Sequence, residues 1–176
     1  ARNTFMSLPG NTIAIGHRED FEHIMATAIA SLERFMLTRH DSRSIHGIDD
    51  PDIPFWAIWA IQQYAKNYSM AEAAEKYGEI TAGLLDFVLR GDHPRATVLE
   101  NGLIAVDGSN TPASWMNSVW EGKPVVFRSG MLVEINALWY NALMFAADLL
   151  AGNGSLAGRR QAWLDAAARA GESFVP

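Results

Sequence analysis

Two segments of this chain are apolar over almost their whole circumference, and they alternate with segments that are apolar along a single stripe. From Phe55 to Tyr68 the residues Phe55, Trp56, Ile58, Trp59, Ile61, Tyr64 and Ala65 leave few wet positions. From 131 to 151, Ile135, Ala137, Leu138, Trp139, Ala142, Leu143, Met144 and Phe145 do the same. A helix of this kind is buried on most sides. Residues 18–37 differ: Phe21, Ile24, Met25, Ala28, Ile29, Leu32, Phe35 and Met36 recur at three and four, with charge elsewhere. In a simple four-helix bundle every helix would keep one wet face. The alternation therefore predicts an all-α fold of helical hairpins in two concentric layers, an α/α toroid whose inner helices are covered all round.

Local signals place the element boundaries. Pro9-Gly10 reads as a turn, and the mostly polar residues 38–53 read as a long loop. Asp52 is placed as an N-cap, with Pro54 in the first turn that follows. Ser69 and Glu72 form a capping-box pattern that opens a one-sided helix with the stripe Ala71, Ala74, Gly78, Thr81, Leu85 and Val88, ending near Arg90-Gly91. Residues 92–130 change character. Val98, Leu103, Ile104 and Val106 flank Asn101-Gly102, a hairpin dipeptide, and five further Gly and Pro residues interrupt the rest. This long loop with short strands precedes the fourth helix, and irregular segments of that length are usually functional. Gly152-Asn153-Gly154 ends the fourth helix. Ser155 is the expected cap of the last, which carries Leu156, Trp163, Ala166, Ala167 and Ala170 on one face. No internal sequence repeat is visible.

Composition removes whole classes of function. A chain of 176 residues, 49% hydrophobic and 19% charged, is too apolar to be disordered and fits one domain. A net charge of -6 argues against a general nucleic-acid or anionic-membrane surface. Without cysteine there is no disulfide, thiolate metal site or cysteine nucleophile. No apolar run reaches the ~20 residues of a membrane span, and no signal peptide is visible, although a mature chain of a secreted protein would look the same; a cytoplasmic location is expected. The five histidines, His17, His23, His40, His46 and His93, show no metal-ligand spacing. Six Trp, four Tyr and eight Phe beside an acidic balance suit a sugar-binding cleft, in which rings cover apolar sugar faces and polar groups take hydroxyls. The alternative is that these rings are core.

The segment from Ser114 to Leu143 is the richest in polar groups set among apolar ones. Glu134 is a lone carboxylate in the first turn of a mostly apolar helix, where the helix N-terminus favours its charged form and burial opposes it. A positioned carboxylate there serves as a general base or a receiver of sugar hydroxyls, or simply complements the helix dipole. Asn136 and Asn141 add polar groups to the same helix, Asn141 on roughly the same face as Glu134. Arg128, just before it, is read as an ion-pair partner for an acid such as Glu134.

The run Val133-Glu134-Ile135-Asn136-Ala137-Leu138-Trp139-Tyr140-Asn141-Ala142-Leu143 resembles a signature of the amylo-α-1,6-glucosidases, the glucosidase part of glycogen debranching enzymes. Ser114-Trp115-Met116-Asn117 resembles the family's Thr-Trp-Met-Asp. Arg2-Asn3-Thr4-Phe5-Met6-Ser7-Leu8-Pro9-Gly10 resembles its Arg-Asp-Thr-Phe-Ile-Ser-Leu-Pro-Gly, and Asp52-Ile53-Pro54-Phe55-Trp56 its Asp-Ala-Pro-Leu-Trp. The motifs occur in the family's order across residues 2–143.

The resemblance implies a six-hairpin α/α barrel of about twelve helices. Five helices are read here, so residues 1–176 are expected to be a single incomplete catalytic domain, with N- and C-terminal parts of the module as partners. It also implies inverting hydrolysis of the α-1,6-linked glucose at a branch point of glycogen or a dextrin. That reaction needs one carboxyl as acid and another as base, with neither metal nor organic cofactor. The acid position falls on Asn117, which cannot donate a carboxylic proton, and Asn3 also replaces a family Asp. Asp107, in the same loop, is the nearest substitute acid, with a turn role as the alternative. Glu134 is expected in the sugar site, with Asp52, Trp56, Trp115, Arg128, Asn136, Trp139 and Asn141 as substrate contacts. A catalytically inactive carbohydrate-binding protein on the same fold is the rival reading. The chain in isolation is expected to self-associate through inner-helix surface near Trp56, Trp59, Trp139 and Phe145.

Overall fold

The computed structural model describes residues 1–39 and 47–174. His40 and His46, with residues 40–46 of the loop read over 38–53, lie outside the described residues. Within them the helices are α1 (Arg2–Asn11), α2 (Arg18–Thr38), α3 (Ile53–Asn67), α4 (Met70–Leu89), α5 (Val133–Leu149) and α6 (Ala157–Phe174). Four short strands lie between α4 and α5: β1 (Ala96–Val98), β2 (Ile104–Val106), β3 (Val119–Trp120) and β4 (Lys123–Pro124). The class is all-α.

The first helix corrects the expected turn at Pro9-Gly10, since α1 runs through both residues. A proline near a helix C-terminus forfeits one backbone bond. The buried stripe Phe5, Leu8 and Pro9 outweighs that loss, and the Thr12 hydroxyl donates to the Leu8 carbonyl at 2.5 Å. The predicted stripe of α2 is buried at Phe21, Met25, Ala28, Leu32 and Phe35, whereas Ile24 is exposed. The helix is capped at Arg39, whose φ of 60° is left-handed. The Arg39 N–H donates to the Phe35 carbonyl, its guanidinium pairs with Asp92 and lies over the Phe87 ring, and these contacts hold the strained residue in place.

Ser69 caps α4, its hydroxyl accepting the Glu72 N–H at 3.0 Å. The Glu72 carboxylate does not close the expected box; it turns to Tyr64 and Arg18 on neighbouring helices. Nor is α4 one-sided. Tyr77, Ile80, Thr81, Ala82, Leu84, Leu85, Phe87 and Val88 are all buried, while Ala71 of the expected stripe is exposed. The reason is position, for α4 is packed against α2, α3 and α5. The cap before α6 is also corrected: Asn153 accepts both the N–H and the hydroxyl of Ser155.

Helices α1, α3 and α5 pack in series, α3 between the other two. Behind them α2 packs on α4, and Asp86 of α4 accepts from Trp163 and Arg159 of α6. The core is continuous through this stack. Phe21 stacks on Tyr64 at 5.3 Å, Phe35 meets Phe87 at 5.7 Å, and Phe55 meets Trp139 at 5.5 Å.

The β1–β2 hairpin pairs Ala96 with Val106, Thr97 with Ala105 and Val98 with Ile104, as the Asn101-Gly102 dipeptide suggested. It is pressed into the helices. A Cβ on Gly102 would meet the Ala170 backbone N at 2.6 Å, and the Gly102 carbonyl accepts from the Trp139 indole at 3.0 Å. Asn136 grips Ile104 as a strand neighbour would, accepting its N–H at 2.7 Å and donating to its carbonyl at 2.9 Å. Val106 and Gly130 exchange a pair of backbone bonds, which brings the chain back to the start of α5.

Candidate active site

The N-terminal ends of α1 and α3 meet through buried charge. Arg2 donates from Nε to Asp52 at 2.6 Å and from a terminal nitrogen to Asp52 at 2.8 Å and to Asp50 at 2.9 Å. The side chains of Arg2 and Asp52 are only 4% and 3% exposed. Asp52 also accepts the Trp56 indole N–H at 3.2 Å. The residue stands at the N-cap position of α3 as expected, but its carboxylate makes no cap bond; two guanidinium donors outcompete the backbone N–H. Arg95 reaches Asp50 from the other side at 3.1 Å and donates to the carbonyls of Asp107, Thr111 and Pro112. One guanidinium therefore ties the segment before α3 to the loop that leads to Asn117.

A cleft of about 380 Å³ opens above this cluster, lined by Asp49, Asp50, Arg95, Asn110, Thr111 and Asn117 among others. Asn117, expected from the motif to stand in the acid position, is exposed at its wall. Burial holds the Asp50 carboxyl above the ordinary aspartate value; Arg2 and Arg95 oppose this, while the neighbouring Asp52 charge adds to it. Asp49, Asp50 and Arg95 were not singled out in the sequence. The run Asp49-Asp50-Pro51-Asp52 was a signal for the first two. Nothing local pointed to Arg95, whose partners come from two distant loops.

Asp107 makes the turn contacts given above as its alternative role: its carboxylate accepts the N–H of Ser109 at 2.9 Å and the Ser109 hydroxyl at 2.6 Å, and these bonds lower its pKa. Trp139 and Asn136 are corrected. Both are fully buried, and each polar atom of their side chains is taken up by the β1–β2 hairpin. Phe145 is buried too, so neither it nor Trp139 contributes open surface.

Glu134, in the first turn of α5, accepts from Arg128 at 2.5 Å, the ion pair read from the sequence. The other end of the same guanidinium contacts the Met116 sulfur at 3.4 Å. Glu134 is thus coupled to the residue beside Asn117 without lining the cleft itself. Asn141 exchanges two hydrogen bonds with Gln62, at 3.0 and 3.2 Å, and so joins α5 to α3. Trp56 is half-buried, edge-on to Trp59 at 5.5 Å, and Trp115 is 56% exposed. Asn3 is exposed on α1, its carbonyl accepting from Ser7.

Among the described residues no group of three or more His, Asp or Glu is gathered so as to hold a metal ion, and no helix is long and apolar enough to cross a membrane. Of the histidines, His17 pairs with Asp20 at the surface, and His93 is buried between Phe35 and Phe87.

Fold and site together define an all-α protein with a carboxylate-, amide- and guanidinium-lined cleft at the starts of its helices. The chain belongs to the amylo-alpha-1,6-glucosidase family, whose model it matches over residues 1–175. No curated protein and no solved structure matches it.

Proposed function

We propose that the chain is part of a glycogen-debranching glucosidase module, and that the cleft at Asn117 receives α-1,6-linked glucose for inverting hydrolysis. One observation carries the reading. The family motif residue Asn117 lines a cleft with Asp49, Asp50 and Arg95, where groups from the starts of α1 and α3 converge. Carboxylates and amides take sugar hydroxyls, and the half-buried Trp56 and exposed Trp115 offer ring faces nearby in sequence. In this reading α1, α3 and α5 are inner helices of an α/α barrel, and α2, α4 and α6 are outer ones. Glu134 orders the Trp115-Met116-Asn117 segment through Arg128 and faces the sugar once the module is whole. Glucan hydrolysis of this kind uses no cofactor, and a cytoplasmic location goes with it.

A second reading has its own support. Asparagine occupies the acid position and Asp107 is locked in its turn, so the module can bind glucan without cleaving it. Glucose release from an α-1,6-branched dextrin, measured on the protein from its complete reading frame, separates the two. Turnover in the unaltered protein supports hydrolysis, with Glu134→Gln then lowering kcat/KM at least about tenfold. Turnover only after Asn117→Asp supports a binding protein. Failure of both to release glucose or to bind the dextrin overturns the cleft assignment.

The partner surface is proposed from exposed side chains. Val125, Val126, Phe127, Met131 and Val133 stand in solvent just before and at the start of α5. Further parts of the module would cover them; without those parts a second copy would, and sedimentation of residues 1–176 at micromolar concentration reads this as a dimer or larger species.

A further inference from the structure

A proton donor to a glycosidic oxygen needs a carboxyl with an oxygen free to reach that atom. Most aspartates around the cleft are committed elsewhere. Both oxygens of Asp52 accept from Arg2, and one also takes the Trp56 indole N–H. Asp107 is held by Ser109. Burial raises the Asp50 carboxyl, but one of its oxygens accepts from Arg2 and the other from Arg95, so a ligand would have to displace a guanidinium to reach either. Asp49 is different. It lines the cleft with Asn117, is half-buried, and makes no hydrogen bond or ion pair among the described residues. Its backbone is nevertheless fixed on both sides. Ile48 before it is fully buried. Asp50 after it is clamped by its two arginines and donates its N–H to the Gly47 carbonyl at 3.3 Å. The Ile53 N–H then closes on the Asp50 carbonyl at 3.1 Å and starts α3. A short side chain on a turn anchored in this way keeps one place in the cleft wall, with its carboxyl unspent.

We propose that Asp49 is the general acid of the cleft and gives its proton to the glycosidic oxygen of the α-1,6 bond. The inference rests on the hydrolytic reading given above, and it puts the proton donor on the turn before α3 rather than on the segment of Asn117. The bond from C1 of the glucose to the bridging oxygen breaks, its electron pair stays with that oxygen, and the Asp49 proton completes the free 6-hydroxyl of the departing chain. Water adds to C1 from the opposite face and passes its proton to a second carboxylate acting as base, while Asp49 regains a proton from solvent. Asn110, Thr111 and Asn117 line the same cleft and offer amides and a hydroxyl to the sugar, so the acid is not needed to hold it.

The test compares Asp49→Asn with the unaltered protein, both from the complete reading frame, on two substrates. One is an α-1,6-branched dextrin, whose leaving oxygen needs a proton. The other is α-glucosyl fluoride, whose fluoride departs with little help from an acid. Asp49→Asn is expected to lower kcat on the dextrin by about 10²–10⁴-fold, the usual contribution of one positioned acid, with KM little changed. It should leave hydrolysis of the fluoride nearly intact. Because the carboxyl holds no partner, the thermal midpoint should not move. Equal loss on both substrates, or no loss on either, overturns the acid role and leaves the hydrolytic reading standing. Glucose release by the unaltered protein from the fluoride alone also overturns it, since the cleft then lacks an acid. Release from neither substrate by the unaltered protein defeats the hydrolytic reading and the acid role with it.

Discussion

Both ends of α3 are ringed with charge, and they are built in opposite ways. At its start Arg2, Asp50, Asp52 and Arg95 form a mostly buried network that also holds Trp56 and three loop carbonyls. At its end Tyr64 is the hub: its hydroxyl meets Arg18, Glu22 and Glu72, and Lys76 closes on Glu22 at 2.8 Å. The charged members of this second cluster are about a third exposed. Their effects on carboxylates run in opposite directions. Hydrogen bonds from Lys76, Arg18 and Tyr64 pull Glu22 down to about 2, whereas burial pushes Asp50 up. Attraction outweighs a small desolvation cost at the wet end; loss of water outweighs two arginines at the dry end. The wet cluster joins α2, α3 and α4. The dry cluster sets loops around the cleft at Asn117, which is where a costly arrangement of charge has a use.

Breaking the dry end should have the largest effect. Arg2→Ala leaves two carboxylates without their shared partner and should cost about 3–5 kcal/mol by urea unfolding. Arg2→Lys should recover little of this, because a lysine cannot supply the forked pair of bonds to Asp52. A loss below about 1 kcal/mol for Arg2→Ala would put both ends in one class and end the contrast.

The dry end should also carry a pH signature, through His93. It is buried, its Nδ1 accepts the Arg95 N–H at 3.2 Å, and burial lowers its pKa from 6.5 to about 3. Between those values the unfolded chain takes up a proton that the folded chain refuses, so stability is full above pH 6.5 and falls as pH drops toward 3. The denaturation midpoint should slope upward with pH through this window, and His93→Gln should flatten the slope.

Smaller losses are expected at the wet end. Tyr64→Phe keeps the stacked ring and removes the hub hydroxyl, and should cost about 1 kcal/mol in an equilibrium melt. Glu22→Gln should cost least, because its partners are solvated and salt screens them. With its folded pKa at about 2 and an ordinary value of 4.5, the Glu22 contribution is present above pH 4.5 and lost as pH falls through 2. The difference between wild type and Glu22→Gln should therefore shrink across that window, and also in high salt at neutral pH.

How legible each end was follows from chain distance. Arg18 with Glu22 and Glu72 with Lys76 are i,i+4 pairs on single helices, visible in the sequence to anyone who projects it on a helix. Arg2 and Asp52 are 50 residues apart, and no pattern joins them before the fold does. The same divide runs through the candidate site. Arg128 with Glu134 was read correctly from neighbouring positions. Asp107 was chosen as a substitute acid because it shares a loop with Asn117, and the fold instead places Asp49 and Asp50 there. Trp139 and Asn136 belong to the signature run beside Glu134, but both are turned into the core by the β1–β2 hairpin.

What the sequence determined by itself is local or strung along the chain. Spacings of three and four set the helices, the Ser69 cap and the Asn101-Gly102 turn set a helix start and a hairpin, and the ordered motifs set the family. These rest on backbone geometry over a few residues, where each choice contributes its own small free energy. The tertiary structure alone decided which motif side chains reach solvent, which carboxylates surround Asn117, and that α4 is buried on most sides although its stripe looks narrow. Burial depends on what lies opposite each residue, and here the opposite wall comes from segments tens of residues away. The desolvation that raises Asp50 and lowers His93 therefore exists only once those segments have packed.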